Sequence, residues 1–536
     1  MRRRGARAPH MVTLVLVAGT VAACSGGAAS APTTSRASAT SVASATSVVP
    51  APAVPTTVSS WDWPTYGQNA QHTFSARTTL TAASVRTLRK AWIFPTGDSV
   101  TATPTVVGDT VYVGSWDNDF YAVNLETGQL RWKVQVKPQH GVVPYPGQKS
   151  RPTTSDGGLI TSSAWFEPAG GGRPALVIFG GGYTLYALNA ATGATYWEHD
   201  YPGRLPQDPD ADETRIFSSP VVADGLVLFG VDVDGQQGSH GYVVGASLAT
   251  GDPEWEYQTD VAAPGGPVLN DGCGSVWSSG TVLPALGLVV FDTADCDFTP
   301  NGPFTDAVEA FHITTGRLAW VYKPALPDLG CDFDFGATAN AGVNAQGTAT
   351  FLGVGGKDGT YYSLDPATGS LRWSTNVVFG GFSGGFIATT AYDGTGVYGA
   401  TAIGDFGRFE SHNGDQSYRC DPSDPRDTAA QEPTDHAFDA ATGKVLWQAD
   451  NVGSFSPTTV AGGMAFDGLA LASQTVQARD VKTGHLVARI GLPQANWSGI
   501  AVVGDALVLG LGSTYSPEAA GIEVLTPGGA PPVVPG

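Results

Sequence analysis

Four short stretches in the middle of this 536-residue chain carry residues that could do chemistry. Asp271-Gly-Cys-Gly-Ser-Val-Trp277 leads into a segment ending Phe291-Asp-Thr-Ala-Asp295. Gly330-Cys-Asp-Phe-Asp-Phe-Gly336 follows, and then Gly355-Gly-Lys-Asp-Gly359. Carboxylates beside glycine-rich turns, one lysine and one tryptophan offer charge of both signs and a flat apolar face. No nucleophile–base pair accompanies them, so a hydrolase or lyase has no support. A structural reading competes with the functional one, because Asp332 and Asp334 could simply cap loops.

The elements that must position these residues are visible in a repeat. Thr-Gly with a tryptophan four residues after the glycine recurs as Gly128/Trp132, Gly193/Trp197, Gly251/Trp255, Gly316/Trp320, Gly369/Trp373 and Gly443/Trp447. Thr483-Gly484 is a seventh copy, with Ala488 in the tryptophan's place. Asn124, Asn189, Asp365, Asp439 or Asp480 stands four residues before its glycine, where a side chain can bond the turn's amides. Around each copy, short β-rich runs alternate with Gly/Asn/Asp turns. Glycines 41 to 74 residues apart suit a four-stranded sheet plus variable loops. Radial repetition of such sheets is a β-propeller, with the tryptophans packed between sheets. Seven copies alone would also suit six or seven blades. Gly521-Ile-Glu-Val-Leu-Thr-Pro-Gly528 resembles a further third strand and turn, and its missing partner occurs at Leu88-Arg-Lys-Ala-Trp92. The expectation is therefore an all-β, eight-bladed propeller closed by its N-terminal strand.

Composition bounds the rest. Arg2, Arg3, Arg4 and Arg7 precede an apolar stretch from Met11 to Ala23, the pattern of a secretory signal over residues 1–23. Val21-Ala-Ala-Cys24 resembles a bacterial lipobox, which makes Cys24 the expected lipid anchor on the outer face of the cell membrane. Ordinary cleavage and secretion is the alternative. Residues 24–60, rich in Ser, Thr, Ala and Pro, read as a disordered tether; 61–528 as the propeller; 529–536 as a disordered tail. A net charge of −20 without a basic stripe argues against a nucleic-acid partner. Besides Cys24 there are four cysteines, an even number suited to disulfides in an exported chain. Cys273 and Cys296 lie nearly symmetrically about the turn Pro284-Ala-Leu-Gly287, which would pair them and leave Cys331 for Cys420. Four free thiols is the other reading.

Trp63-Pro-Thr-Tyr-Gly67, Thr103-Pro-Thr-Val-Val, Asp306-Ala-Val-Glu-Ala310, Asp332-Phe-Asp-Phe-Gly-Ala and Lys357-Asp-Gly359 together resemble the dehydrogenases that use pyrroloquinoline quinone (PQQ). The likeness is to the polyvinyl alcohol dehydrogenase group in particular, and it covers nearly all of the propeller. It implies a quinoprotein alcohol dehydrogenase-like fold, PQQ stacked on Trp277, and a Ca²⁺ ion that polarises the quinone. It implies Asp295 and Asp332 as calcium ligands, with Asp332 also the catalytic base. Lys357 would bond the quinone oxygens, and Arg151 would hold a cofactor carboxylate. The implied substrate is a small or polymeric alcohol, with electrons leaving to a separate acceptor.

The chain also departs from that pattern. Relatives supply a glutamate to calcium where this sequence has Gln236, or Asp234 two residues earlier if the alignment slips, and glutamine is a neutral ligand. No two cysteines are adjacent, so the disulfide that covers the quinone in other alcohol dehydrogenases has no counterpart. Cys331 stands where relatives have tryptophan or proline, and Gly384-Gly-Phe-Ile387 lacks a tryptophan expected there. No Cys-x-x-Cys-His occurs, hence no haem motif. These departures keep a second reading open: a surface lipoprotein propeller, without catalysis, acting as a binding or assembly module.

Overall fold

Each tryptophan of the repeat ends up beneath the glycine turn of the next blade. Gly193 has φ +73° and comes so close to Trp132 that a Cβ there would sit 2.7 Å from the indole. The same embrace joins Gly128 to Trp92, Gly251 to Trp197, Gly316 to Trp255, Gly369 to Trp320, Gly443 to Trp373 and Gly484 to Trp447. Each indole Nε1 also donates to a backbone carbonyl across the joint, as Trp255 does to Ile313 at 2.8 Å. The turn itself is fixed by its Asn or Asp: Asn124 Oδ1 accepts from the amide and hydroxyl of Thr127. The repeat is thus a seam between sheets, built from local turn chemistry and one large apolar side chain.

The computed structural model describes residues 57–137, 160–202, 214–233, 240–259, 261, 273–296, 302–326, 333–381, 384–402, 433–450, 453–469, 474–513 and 520–535. They belong to the unit Ala51–Gly536; the unit Met1–Pro50, with Cys24, lies outside them. Their strands form eight sheets. The innermost strands, in ring order from blade 1 to blade 8, are Thr105–Val107, Trp165–Glu167, Val221–Ala223, Thr281–Leu283, Asn340–Val343, Ala391–Tyr392, Thr459–Ala461 and Ala501–Val503. Each neighbours the next, and the eighth neighbours the first, so the ring is closed. Blade 8 takes its outer strand from the N-terminus: Leu88–Pro95 pairs antiparallel with Gly521–Pro527. Eight blades and N-terminal closure are as the sequence implied.

One seam differs. Ala488 leaves the joint between blades 7 and 8 without a tryptophan, and nothing lies within 4 Å of the Gly528 Cβ position. Leu80 and Val85 fill this region instead, packed with Ile490 and Leu525 and against Ala488. Val85 closes the short helix Ala82–Val85, which Thr81 and Ser84 cap reciprocally. At the other terminus, the chain past 528 is bonded to blade 8, with the Val533 amide donating to Asp505 Oδ1 at 2.7 Å.

Two features give the channel its axis. Two residues before the innermost strand in blades 1 to 6, a hydroxyl accepts from the equivalent amide of the preceding blade, and Gly499 N of blade 8 donates to Thr103 of blade 1. Thr103 N donates to Ser163, Ser163 N to Ser219, Ser219 N to Ser279, Ser279 N to Thr338 and Thr338 N to Thr389. One residue inside the innermost strands of blades 1, 2, 4, 5, 6 and 7, an N-terminal thread docks. Trp63 pairs with Val106, and the amides of Phe166, Val282, Ala341, Tyr392 and Val460 donate to Pro64, Ala70, Gln71, Thr73 and Phe74. The thread follows the ring in blade order and fills this end with buried His72 and Phe74. Residues preceding the hydroxyl belt therefore stand at the opposite end, the mouth.

Candidate functional site

Trp277 stands at that mouth, four residues before the innermost strand of blade 4. The equivalent residue in every blade is partly exposed while both its chain neighbours are buried. Thr101 and Thr161 occupy the position in blades 1 and 2, Phe217 and Trp277 in blades 3 and 4. Gly336 and Ile387 follow in blades 5 and 6, Phe455 and Trp497 in blades 7 and 8. Trp277 reaches sideways over blade 5: a Cβ on Gly336 would lie 2.6 Å from its ring and 3.3 Å from Ile387 Cα. The indole can lie across the mouth because its neighbour has no side chain.

Lys357 meets it from the turn between Ala349–Gly355 and Thr360–Leu364. The Lys357 amide donates to Asp334 O, and its carbonyl accepts from Gly381 N. Gly380 and Gly385 make the second contact possible, since a Cβ on Gly385 would come within 2.3 Å of the Lys357 oxygen. So held, the ammonium lies 5.1 Å from the Trp277 ring centroid and 2.6 Å from Asp334 Oδ1. Asp334 is 2% exposed and Lys357 7%, so the pair sits in a low-dielectric environment where charge interactions are strong. The fold thus brings Trp277 and Lys357 together. It adds Asp334, which the sequence left as a possible loop cap.

Asp295 is placed by the disulfide. Cys273 and Cys296 are bonded and face each other across the base of the blade 4 hairpin, as its turn symmetry predicted. Gly274 N donates to Asp295 O, and Ala294 N to Ser275 O, which sets Asp295 against the strand that leads to Trp277. Asp332, Gln236 and Arg151 lie outside the described residues, as do Cys331 and Cys420. Among the described residues no three His, Cys, Asp or Glu side chains cluster as a metal site.

Behind Trp277, Ser278 exchanges hydrogen bonds with the Asp292 backbone. In the strand register Asp292 takes the place of Gly114, Gly180, Gly230, Gly355, Gly468 and Gly510. Burial drives its carboxyl pKa well above the usual range, partly offset by the Ala339 amide. Its setting differs from that of Asp334, which pairs with Lys357.

What could this arrangement hold? A partly exposed indole with a fixed cation over its ring fits a planar anionic group such as a quinone carrying carboxylates. For a cation, the described residues offer Asp295 alone of the expected donors.

The chain belongs to the PQQ family described as glucose/ethanol/alcohol dehydrogenase, β-propeller domain, whose model matches residues 63–377. Among curated relatives, polyvinylalcohol dehydrogenase from a Pseudomonas species is 27% identical over 64% of this chain and 55% of its own length. The Sphingopyxis enzyme of the same name is 24% identical over 77% of this chain and 70% of its own length. Quinoprotein glucose dehydrogenase from Escherichia coli is 24% identical, with 43% of its length covered. The chain thus spans about half the length of several curated relatives it matches. Quinohemoprotein alcohol dehydrogenase from Comamonas testosteroni shares the fold, with a TM-score of 0.64 at 18% identity over 89% of this chain and 82% of that one. BamB from Moraxella catarrhalis also shares it, with a TM-score of 0.52 at 14% identity over 82% and 98%.

Proposed function

We propose that this chain is an exported dehydrogenase that uses PQQ and Ca²⁺ to oxidise an alcohol or polyol, passing the electrons to a separate acceptor. One observation carries the reading: Lys357 lies over the ring of Trp277, anchored by Asp334, at the mouth of the propeller. The tryptophans of the repeat are taken up by the seams, whereas this one stands outside the repeat, four residues before an innermost strand.

When bound, a quinone supplies a hydride acceptor and a divalent cation beside it a Lewis acid. The chain's residues do the rest. Trp277 orients the planar ring by stacking, and Lys357 donates to its oxygens while Asp334 fixes the ammonium in place. Asp332 takes the hydroxyl proton of the alcohol and, with Asp295 and Gln236, supplies oxygen ligands for the cation. Arg151 pairs with a cofactor carboxylate. Substrate enters at the mouth, because the thread with His72 and Phe74 fills the other end of the channel. Cys24 tethers the protein to the outer face of a bacterial cell membrane.

The test is to add PQQ and Ca²⁺ to purified protein. A change in the visible spectrum, a raised Tm and dye reduction with simple alcohols are expected. Asp332→Ala should abolish dye reduction and keep the melting transition. No spectral change and no Tm shift would overturn the enzyme reading in favour of a non-catalytic surface module. Release of a Cys24→Ala variant into the medium checks the anchor.

A further inference from the structure

Blades 4 and 8 are half a turn apart in the ring, and so are blades 3 and 7. Phe217 and Trp277 therefore face Phe455 and Trp497 across the mouth. The correspondence continues into the turns above. Lys357 and Trp116 occupy the same place in blades 5 and 1, again half a turn apart: Lys357 N donates to Asp334 O, Trp116 N to Ser99 O. In each turn the next residue, Asp358 or Asp117, accepts from a tyrosine hydroxyl, Tyr362 or Tyr121. The mouth thus has two related halves. One carries Lys357 and Asp334 beside Trp277. The other carries Trp116 and Ser99 at those same positions, beside Trp497, whose ring lies 4.9 Å from that of Phe455.

We propose that this second half is the subsite for the carbon skeleton of the substrate, and that Phe455 and Trp497 make the protein select hydroxyls borne on an alkyl or aryl chain over compact polyhydroxylated molecules. The inference rests on the dehydrogenase reading, which places the reacting hydroxyl at the Trp277–Lys357 half. Aromatic faces gain from every methylene laid on them, without directional demands. A sugar could also lie on an indole, but each buried hydroxyl then needs a polar partner. At the corresponding positions of this half, the Thr101 hydroxyl already accepts from Trp116 Nε1 at 2.9 Å, and the Ser99 hydroxyl already donates to Ser513 O.

The test is a binding series on the full chain, with and without PQQ and Ca²⁺. Ethanol, butan-1-ol, hexan-1-ol and benzyl alcohol are compared with glycerol and sorbitol by isothermal titration. Wild-type Kd is expected to fall about two- to fourfold per added methylene. Trp497→Ala and Phe455→Leu should each reduce that to less than about twofold, with Trp497→Phe keeping most of it. Phe455→Leu and Trp497→Phe keep the test valid should Trp497→Ala not fold. A flat series, tighter binding of glycerol or sorbitol, or an unchanged slope in the variants would overturn the proposal. A flat series with dye reduction intact sinks the subsite alone. A steep series in protein that takes up no PQQ sinks the dehydrogenase reading alone.

Discussion

Gly336 and Trp277 belong to neighbouring blades, and the missing Cβ of the first is what lets the indole of the second lie across the mouth. Gly336 has no left-handed backbone, so space alone excludes a side chain there. Gly336→Ala should push the indole aside at about 1–3 kcal/mol. The expected results are a shifted tryptophan fluorescence maximum and at least tenfold weaker PQQ binding, with the far-UV spectrum unchanged.

The Lys357–Asp334 pair invites a double-mutant cycle. Removing one partner strands a buried charge, which destabilises by about 3–5 kcal/mol. Asp334→Ala and Lys357→Met should each lower Tm, and the double variant should recover much of the loss. Additive losses in denaturant titrations would mean that the two groups do not act as a pair.

Stability should fall as pH rises from weakly acidic to neutral. Glu309 is fully buried, neither carboxyl oxygen finds a hydrogen-bond partner among the described residues, and burial raises its pKa well above 4.5. Burial raises Glu523 to about 7. Asp467 also rises to about 7, through burial and then the charge of Asp435. With folded pKa values above the unfolded ones, the folded state keeps protons that the unfolded state has released. Stability present below about pH 4 is therefore lost as pH climbs, ending near pH 7 for Asp467 and Glu523. Glu309→Gln and Asp467→Asn should flatten melting temperature against pH, gaining ~1–3 °C at pH 8 and little at pH 5.

The seams make a separate prediction. Trp320 is 8% exposed and Gly369, at φ +69°, would put a Cβ 2.4 Å from its ring. Trp320→Ala should cost ~3–5 kcal/mol and Gly369→Ala at least ~1–3 kcal/mol, the latter through strain and crowding together. Chemical denaturation of each variant checks the order. Ala488→Phe should likewise cost about 1–3 kcal/mol, because Leu80 and Val85 already fill that seam and pack against Ala488.

The blades could be read from sequence because each rests on a local signal. A Thr-Gly turn, an Asn or Asp four residues earlier and a tryptophan four residues later are all close in the chain. The Cys273–Cys296 pair followed the same way, from the symmetry of one hairpin turn. Trp277 and Lys357 were found through resemblance, and their meeting depends on two blades that the sequence does not juxtapose. Asp334 as the partner of Lys357 escaped notice for that reason: a tertiary ion pair leaves no trace in spacing. The mouth ring is an intermediate case. Trp497 stands two residues before Gly499 as Trp277 stands two before Ser279. Aligning the blades on their innermost strands rather than on their outer tryptophans would have brought it out.

The N-terminal thread and strand have a kinetic consequence. Leu88–Pro95 is among the first stretches of the propeller to be made, yet its partner Gly521–Pro527 is the last. Thr78 likewise waits for the carbonyl of Gly504, 426 residues away. Bringing such distant ends together carries a loop-closure entropy of about 5 kcal/mol. Blades 1 to 7 can form in order as the chain lengthens, whereas blade 8 and the far end of the channel cannot. Ring closure should be the slow, late step of folding, and a chain stopped short of residue 521 should stay open and prone to edge pairing.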